Sequence, residues 1–481
     1  MSSASASQLE AGGATKHVWY RSPMYAAVII GICNFCAPGR VSLHTIPPLI
    51  AVWVAMNSIG GGGQATPFLV NAANTLTFSI MVVTAFLGST VLNLVGVNWA
   101  LFIGGVGYAP YVAGLYTNNV FGTEWLVLFG ATTCGISAGL FWAIEAAVAF
   151  AYPEPERLGK FLGIWMSFRV GGQIVGGAIN LGMNATRGSA GSINPKVYLV
   201  FVALQAAGPF TSFLLPRPDK VQRRDGKAVK IYNGRKVWDE IKGTWGVMVS
   251  KEILLLVPFI VQGAFPESWI NTYMASHFTV RVRALGSFVA AWACVIIGNV
   301  VGKYLDLNSI SLKTRARYTF LWFTITRAGW WIWAIVLESN FPSHEAIDWT
   351  SPLFGKSFAV YVLLSANFQG LFLYTYFVCK AVSKTHEDEA RIAGLLRSVQ
   401  SAAMAVAYGT SSIKSFALLG SAALNFGLWG IALVPSWLVI RRIGVDLNGP
   451  VAEDDESDQG QVAHLPRADN ASTASDSEEK K

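Results

Sequence analysis

Three charged residues lie inside long apolar stretches of this sequence: Glu145, Arg169 and Arg327. A charge at bilayer depth is costly unless it has a partner or a wet cavity, so such residues mark solute or ion paths or structural ion pairs. Glu145 and Arg169 differ in depth by about one helical turn, which an arginine side chain can bridge. They form a candidate pair, either in a central cavity or as a link between two helices. Arg327 has no partner that the sequence identifies, and Arg397 is placed close enough to a helix end to snorkel to water.

Six carboxamide side chains form a second candidate set. Amides buried in lipid usually hydrogen-bond to a neighbouring helix, and contact with a solute is the alternative. The candidate polar cavity consists of Asn71, Asn74, Gln173, Asn180, Asn367 and Gln369.

Two glycine pairs have the spacing of helix-packing motifs. Gly159 with Gly163, and Gly172 with Gly176, are each separated by three residues. Small residues at this spacing let two helix backbones approach closely. They predict tight packing of the helix that carries them, in a rocking transporter or in a static bundle.

Motifs that resemble catalytic sites lack the surroundings that catalysis needs. "GISAG" at 135–139 matches a nucleophile elbow, but that motif requires a strand–turn–helix context, whereas Ser137 lies in an apolar stretch. Cys33-x-x-Cys36 has no second pair, and the six histidines form no ligand cluster. The sequence therefore predicts no catalytic residue, no metal site and no cofactor, in a protein that is not an enzyme.

The stretches that must position these residues are transmembrane helices. Of the 481 residues, 53% are hydrophobic and 13% charged, with a mean hydropathy of +0.43; soluble proteins carry about 25% charged residues. Apolar runs of about 20 residues, enough to cross a bilayer as helix, recur along the chain. Because lipid cannot satisfy backbone polar groups, such runs form helices. The fold class is all-α: a polytopic protein of the lipid bilayer.

The apolar runs predict twelve transmembrane helices in two six-helix halves. The spans are expected at 23–59, 66–95, 98–117, 124–151, 158–184, 196–215, 252–275, 284–304, 316–338, 353–380, 391–413 and 416–440. The organisation is a polar N-terminal tail (1–22), a first half (23–215), a basic linker (216–251), a second half (252–440) and a disordered acidic tail (441–481).

The distribution of Lys and Arg predicts the orientation. Ten of these residues lie in the linker, and basic loops face the cytosol, so both termini are expected there; plasma membrane and endomembranes remain alternatives. The net charge of +8 therefore reflects topology and does not indicate a nucleic-acid partner. The sequon at Asn184 falls outside, where glycosylation is possible.

An internal repeat supports the two halves. "GLFWAIEAAVAFAYPEPERLGKFLG" from Gly139 aligns without gaps with "GLFLYTYFVCKAVSKTHEDEARIAG" from Gly370, at a constant offset of 231. Parallel halves related by an axis along the membrane normal are the architecture of major facilitator transporters.

Several phrases resemble one known family. They are "LVNAANTLTF" (69–78), "GYAPYVAGLYTNN" (107–119), "CGISAGLFWAIEAAVAFAYPEPERLGKFLGIW" (134–165), "FRVGGQIVGGAINLG" (168–182), "KVQRRDG" and "SANFQGLFLYTYF". Over about 24–440 the chain resembles fungal Unc-93-like (DUF895-type) proteins of the major facilitator superfamily. The resemblance implies a transporter of a small solute or ion, although animal members act as accessory proteins on a potassium channel or in receptor trafficking. The alternatives are thus a transporter, a transport-inactive accessory protein with other membrane proteins as partners, and an exporter of a fungal metabolite.

The facilitator loop signature Gly-x-x-x-Asp survives in one half only. Between spans eight and nine the sequence keeps Gly302, Asp306, Arg315 and Arg317, whereas "GSTVLNLVGVNW" (88–99) lacks every charge. The first half is therefore expected to depart from an ordinary facilitator gate.

Residues 40–51 interrupt the first span. Removing Arg40 to Ala51 joins Gly39 to "VWVAMNSIG" and restores a span of normal length. The segment carries a charge and two prolines, which break helical hydrogen bonding. It is interpreted as a lineage-specific insertion or a translated intron fragment, with a broken helix that forms a binding site as the alternative. An mRNA that lacks these codons would decide for the intron.

Overall fold

The computed structural model describes residues 18–35, 67–165, 195–226, 236–341 and 346–449, with single positions at 167, 174, 178, 181–182 and 229. The predicted insertion 40–51 lies outside the described residues. The helices are α1 (Pro23–Phe35), α2 (Phe68–Phe86), α3 (Gly88–Val106), α4 (Tyr108–Phe121), α5 (Trp125–Ala151), α6 (158–165), α7 (Pro195–Ala207), α8 (Val237–Met248), α9 (Lys251–Ala264), α10 (Pro266–His277), α11 (Val280–Leu305), α12 (Leu312–Ser339), α13 (Phe354–Val382), α14 (His386–Ser411) and α15 (Leu419–Ile440).

The chain reverses direction at Gly96, inside α3. Its φ of 76° and ψ of 168° are readily available only to glycine. Before it, the Thr77 hydroxyl donates to the Ala131 carbonyl of α5 and the Thr84 hydroxyl to the Gly135 carbonyl, so the two helices run in the same direction. After it, Gly107 faces Thr133 of α5 and Gly114 faces Leu126, which lies earlier in α5, so the two helices run in opposite directions. Two antiparallel helical segments, which we call the first and second rods, therefore meet at Gly96. The sequence predicts the boundary between the second and third spans at this point.

The described ends of the chain meet the linker at one end of the bundle. The Val18 N–H donates to Gln222 Oε1 (2.8 Å), and Arg442 Nη1 donates to Glu252 Oε1 (3.0 Å) at the start of α9. The Gly449 N–H donates to the carbonyl of Ala381, near the end of α13. We refer to this end, which contains residues 218–226 and 236–251, as the linker end.

Eight described helical segments are long and apolar enough to cross a membrane. They are Phe68–Phe86, Gly88–Phe121, Trp125–Ala151, Lys251–His277, Val280–Leu305, Leu312–Ser339, Phe354–Val382 and Leu419–Ile440. α14 has a comparable length of 26 residues but is more polar. Most of its residues are buried by other helices, so protein rather than lipid surrounds it.

Two groups of helices pack together along α2 and α14. The described helices before residue 216 form the first group, and those after residue 250 the second. The Ser398 hydroxyl donates to the Val82 carbonyl (2.7 Å), and Phe78 stacks on Tyr408 with ring centroids 5.5 Å apart. Buried apolar residues of both groups form one continuous cluster. α5 and α13, which carry the repeated segment, end 231 residues apart, the offset of the repeat.

Candidate functional site

Arg397 lies between the two groups inside a cage of aromatic rings. It is 1% exposed, and its guanidinium carbon lies 4.9 Å from the ring centroid of Phe372 and 5.2 Å from that of Tyr376, both on α13. The ring of Trp142, on α5 of the first group, is 5.0 Å away. Desolvated cation–π contacts of this kind are worth about 2 kcal/mol or more. Arg397 Nη1 also donates to Gln400 Oε1 (3.0 Å). One buried cation therefore connects both groups.

The expectation that Arg397 snorkels to water is wrong, because its helix starts earlier than predicted. α14 begins at His386, where the Thr385 hydroxyl accepts a hydrogen bond from the Asp388 N–H (3.2 Å). Arg397 is thus about three turns into the helix. The Thr-x-x-Asp spacing is the capping signal that could have located this start.

Polar groups accompany the aromatic rings at this level. Gln369 lies on the face of α13 that also carries Phe372 and Tyr376, and it is 4% exposed. Trp165 of α6 contacts the Tyr376 ring at 5.3 Å. Among the described residues, neither Gln369 Nε2 nor Trp165 Nε1 has a hydrogen-bond partner. The region between the groups therefore offers two buried N–H donors beside a cation.

Glu145 lies one turn beyond Trp142 on α5 and is 1% exposed. Its predicted partner Arg169 lies outside the described residues, so the pair stays a prediction. Gln173, Asn180, Gly172, Gly176 and the sequon at Asn184 also lie outside them.

Arg327 lies within the second group, away from the first. It is 2% exposed on α12 and borders a cavity of about 10 Å³, room for roughly one water. The other polar residues of that cavity are Gln262, Thr324 and Ser436, all from the second group. Among the described residues its Nη1 has no hydrogen-bond partner. The structure does not place Arg327 with Arg397.

Three of the predicted amides make different contacts. Asn71 Nδ2 donates to Thr272 Oγ1 (3.1 Å) and to the Ser411 carbonyl (3.0 Å), and so joins the groups. Asn74 Oδ1 accepts from the Tyr111 hydroxyl (3.0 Å) within the first group. Asn367 Nδ2 donates to the Thr326 hydroxyl (3.0 Å) within the second.

α6 and α11 touch at the linker end. A Cβ on Gly159 would lie 2.4 Å from the Gly302 carbonyl oxygen, so only glycine fits, whereas one on Gly163 would meet Asn299 at an ordinary 3.4 Å. Asp306, just after α11, accepts hydrogen bonds from the N–H groups of Gly159 (2.7 Å) and Lys160 (2.5 Å).

Asp306 thus caps the N-terminus of α6 from the other group, where a carboxylate meets unpaired N–H groups and the positive end of the helix dipole. Burial raises the pKa of the Asp306 carboxyl, and the two N–H groups oppose that rise.

A cavity of about 280 Å³ adjoins this cap at the linker end. Its charged lining residues are Glu156, Arg223, Asp306, Arg315, Lys380 and Glu389. Lys380 Nζ lies 2.9 Å from Glu389 Oε1, an ion pair between α13 and α14. Three cations and three carboxylates thus line the cavity, which reaches the boundary between the groups.

Comparison with known sequences decides the family. The family model described as "Ion channel regulatory protein UNC-93" matches residues 71–413. The chain is 37% identical over 439 residues to Notoamide biosynthesis cluster protein O' of Aspergillus versicolor, covering 90% of this chain and 92% of that protein. The chain belongs to the UNC-93 family. UNC93-like protein C922.05c of Schizosaccharomyces pombe is 25% identical over 454 residues, covering 91% of this chain and 86% of that one.

Solved structures show the fold of this UNC-93 family member. The Escherichia coli fucose:proton symporter FucP aligns with a TM-score of 0.55 at 10% identity, covering 87% of this chain and 99% of that one. The human organic anion transporter MFSD10 aligns with a TM-score of 0.57 at 12% identity, covering 88% and 100%. The fold is that of major facilitator transporters, and the chain is a multi-span integral membrane protein of the transporter-like or regulatory kind.

Proposed function

We propose that this UNC-93 family protein is a secondary transporter whose solute passes between the two helix groups at the level of Arg397. The observation that carries the proposal is the cage itself, because a buried cation is held by rings from both groups. A charge that served only to hold one helix bundle together would contact one group alone, as Arg327 does. When the groups separate, Arg397 and the donors of Gln369 and Trp165 become available to a solute.

We further propose twelve spans in two six-helix halves, with the linker end in the cytosol. The basic linker supports this orientation through the positive-inside rule. The contacts of Val18 with Gln222 and of Arg442 with Glu252, at the linker end, support the same side for both termini. The Asp306 cap on α6 then closes the pathway at its cytosolic mouth.

The proposed solute is a small organic metabolite. Aromatic walls with a few polar groups are typical of sites for organic ligands rather than for bare ions. One relative carries the name of a biosynthesis cluster, which favours export of a metabolite in this chain as well.

The test is flux in sealed vesicles that contain the purified protein. The host's extracted metabolites are enclosed, and their release is followed by mass spectrometry while a pH-sensitive dye reports proton movement. We expect wild type and Arg327→Gln to release a common metabolite, and Arg397→Gln to release it at least about tenfold more slowly, because desolvated cation–π contacts are lost. Equal flux in the two variants would place the pathway elsewhere.

A second candidate function is that of an accessory membrane protein. The description of the matching family, an ion channel regulatory protein, favours it. Absence of flux across the metabolite and ion panels, together with co-purification of one membrane protein, would support this function over transport.

A further inference from the structure

Helix α8 has its two tryptophans exposed and Glu240 buried, while its other acidic residue, Asp239, is exposed. Trp238 and Trp245 are 63% and 58% exposed, and the exposed Lys242 lies between them on the same face, with its Nζ 5.6 Å from the Trp238 ring centroid. Glu240 and Thr244 lie on the opposite face and are buried. In water this arrangement would be unfavourable, because two large aromatic surfaces remain exposed.

The buried face fixes α8 against the bundle. Arg391 of α14 donates from Nε to Glu240 Oε1 (3.1 Å) and from Nη2 to Oε2 (2.9 Å), a bidentate charge-assisted contact. The hydroxyls of Thr244 and Ser89 are 3.5 Å apart. A Cβ on Gly243 would lie 2.7 Å from the Arg391 guanidinium carbon, so the helix and the arginine are in close contact.

The depth of α8 follows from these contacts. Ser89 precedes the reversal at Gly96 by about 10 Å of helix, so α8 lies beside the last turns of the first rod and not beyond the end of the bundle. α8 ends at Met248, and the apolar segment Lys251–His277 begins three residues later. The exposed face therefore points sideways, at the level where spans enter the water.

We propose that α8 lies in the headgroup region of the cytosolic leaflet and that its exposed face binds anionic phospholipid. Trp238 and Trp245 suit this level, since tryptophan concentrates at membrane–water interfaces. Lys242 and the exposed Lys236 outnumber the one exposed acid of α8, Asp239, and the linker has ten basic and four acidic residues over 216–251. Lysines beside a membrane surface gain energy from anionic lipid. The inference uses the orientation proposed above and does not depend on transport.

The test uses the full-length protein in nanodiscs of phosphatidylcholine with a minority of phosphatidylserine. Either the serine lipid or an equal mole fraction of the choline lipid carries bromine near the headgroup, where it quenches tryptophan fluorescence. The signal is the difference between wild type and the Trp238→Phe/Trp245→Phe variant, which removes only these two fluorophores.

We expect brominated phosphatidylserine to quench this signal more strongly than brominated phosphatidylcholine, by up to about fivefold for one lysine at an anionic surface. Lys242→Gln should bring the ratio of quenching by brominated phosphatidylserine to quenching by brominated phosphatidylcholine close to one. Lys196→Gln, an exposed lysine at the far end of the bundle, should leave the ratio unchanged.

Two results would overturn the proposal. Equal quenching by both lipids in wild type would exclude a preference for anionic lipid. Quenching by aqueous iodide and by neither lipid would show that the exposed face of α8 meets water. A protein partner would then be the alternative occupant of this face.

Discussion

At the scale of single residues, two buried arginines have their charge surrounded in different ways. Arg397 lies among three aromatic rings and connects the groups, whereas Arg327 lies in the second group beside a cavity for about one water. Both are nearly inaccessible to solvent. Only the first changes its surroundings when the groups move apart, so it is the better candidate for contact with a solute.

Substitution of Arg397 by lysine should also slow transport strongly. An ammonium keeps the charge but lacks the planar face that stacks on Trp142 and Phe372 and the fork that reaches Gln400. We expect Arg397→Lys to retain less than about a tenth of wild-type flux, because desolvated contacts of this kind are worth about 2 kcal/mol or more. Vesicle flux measures it, and near-normal flux would show that positive charge alone is sufficient.

Asp348, in the loop before α13, should give stability that is lost in acid. Arg281 donates to the Asp348 carboxylate through Nε (2.6 Å) and Nη2, and Thr279 donates through its hydroxyl (2.9 Å). Hydrogen bonds from Arg281 above all hold the pKa of this carboxyl far below its usual range.

The folded protein thus keeps Asp348 ionised at a pH where the unfolded chain takes up a proton, and the stabilisation fades as the pH falls below about 4. Thermal unfolding in detergent should show wild type losing its advantage over Asp348→Asn across this range. A constant difference in Tm from pH 7 to pH 3 would contradict the assignment.

At the scale of helices, α6 and α14 occupy matching places in the repeat, and a different acidic residue binds the N-terminal end of each. Asp306 follows Gly302 and caps α6 directly, whereas residues 88–99, between spans two and three of the first half, carry no charge. There the acid comes from the linker instead, since Glu240 of α8 binds Arg391 of α14. The missing charges that the sequence shows between spans two and three are thus replaced by a residue about 150 positions away.

Glu240→Gln should loosen α8. Among the described residues Arg391 would then form ion pairs only with Glu387 (3.5 Å) and Asp388 (3.4 Å), besides one neutral hydrogen bond to the new amide oxygen. We therefore expect a loss of about 1–3 kcal/mol, below the 3–5 of an uncompensated buried charge. Trypsin should then cleave at Lys236 and Lys242 more quickly. Asp239→Asn, an exposed neighbour, is the matched control and should cleave at the wild-type rate.

Gly159→Ala should separate α6 from α11. The added methyl group would lie 2.4 Å from the Gly302 carbonyl and 2.5 Å from the Asp306 carboxylate, both of which must move. We expect a loss of about 1–3 kcal/mol, seen as a lower Tm in detergent. Gly163→Ala, one turn along the same helix, meets ordinary contacts and should stay near wild type; equal effects would show that the cap is not tight.

At the scale of the whole molecule, the chain is a bundle whose first and last described residues lie at one side. The linker, the start of α1 and the residues after α15 meet there. The cavity of about 280 Å³ with charged lining residues and the Asp306 cap lie at the same end. The charged residues of this cavity and cap therefore lie at the end that the proposed orientation places in the cytosol.

The proposed orientation predicts a glycan on Asn184. Expression in a eukaryotic host should give a band that shifts on glycosidase treatment, and the shift should disappear in Asn184→Gln. Asn470→Gln, which removes the sequon in the acidic tail, should leave it unchanged because the proposed orientation puts that tail in the cytosol. A shift that depends on Asn470 would invert the topology.

The sequence by itself determined the features that depend on neighbouring residues. Apolar length predicted the helices, Gly96 coincides with a predicted boundary, and the motifs from 69 to 182 pointed to the UNC-93 family that the comparisons confirm. Only the tertiary structure decided that Arg397 lies in a cage, that Asp306 caps α6, and that Glu240 binds Arg391. The reason is physical: hydropathy and helical periodicity are local, whereas the partner of a buried charge is set by how helices pack, across as many as 255 positions between Trp142 and Arg397.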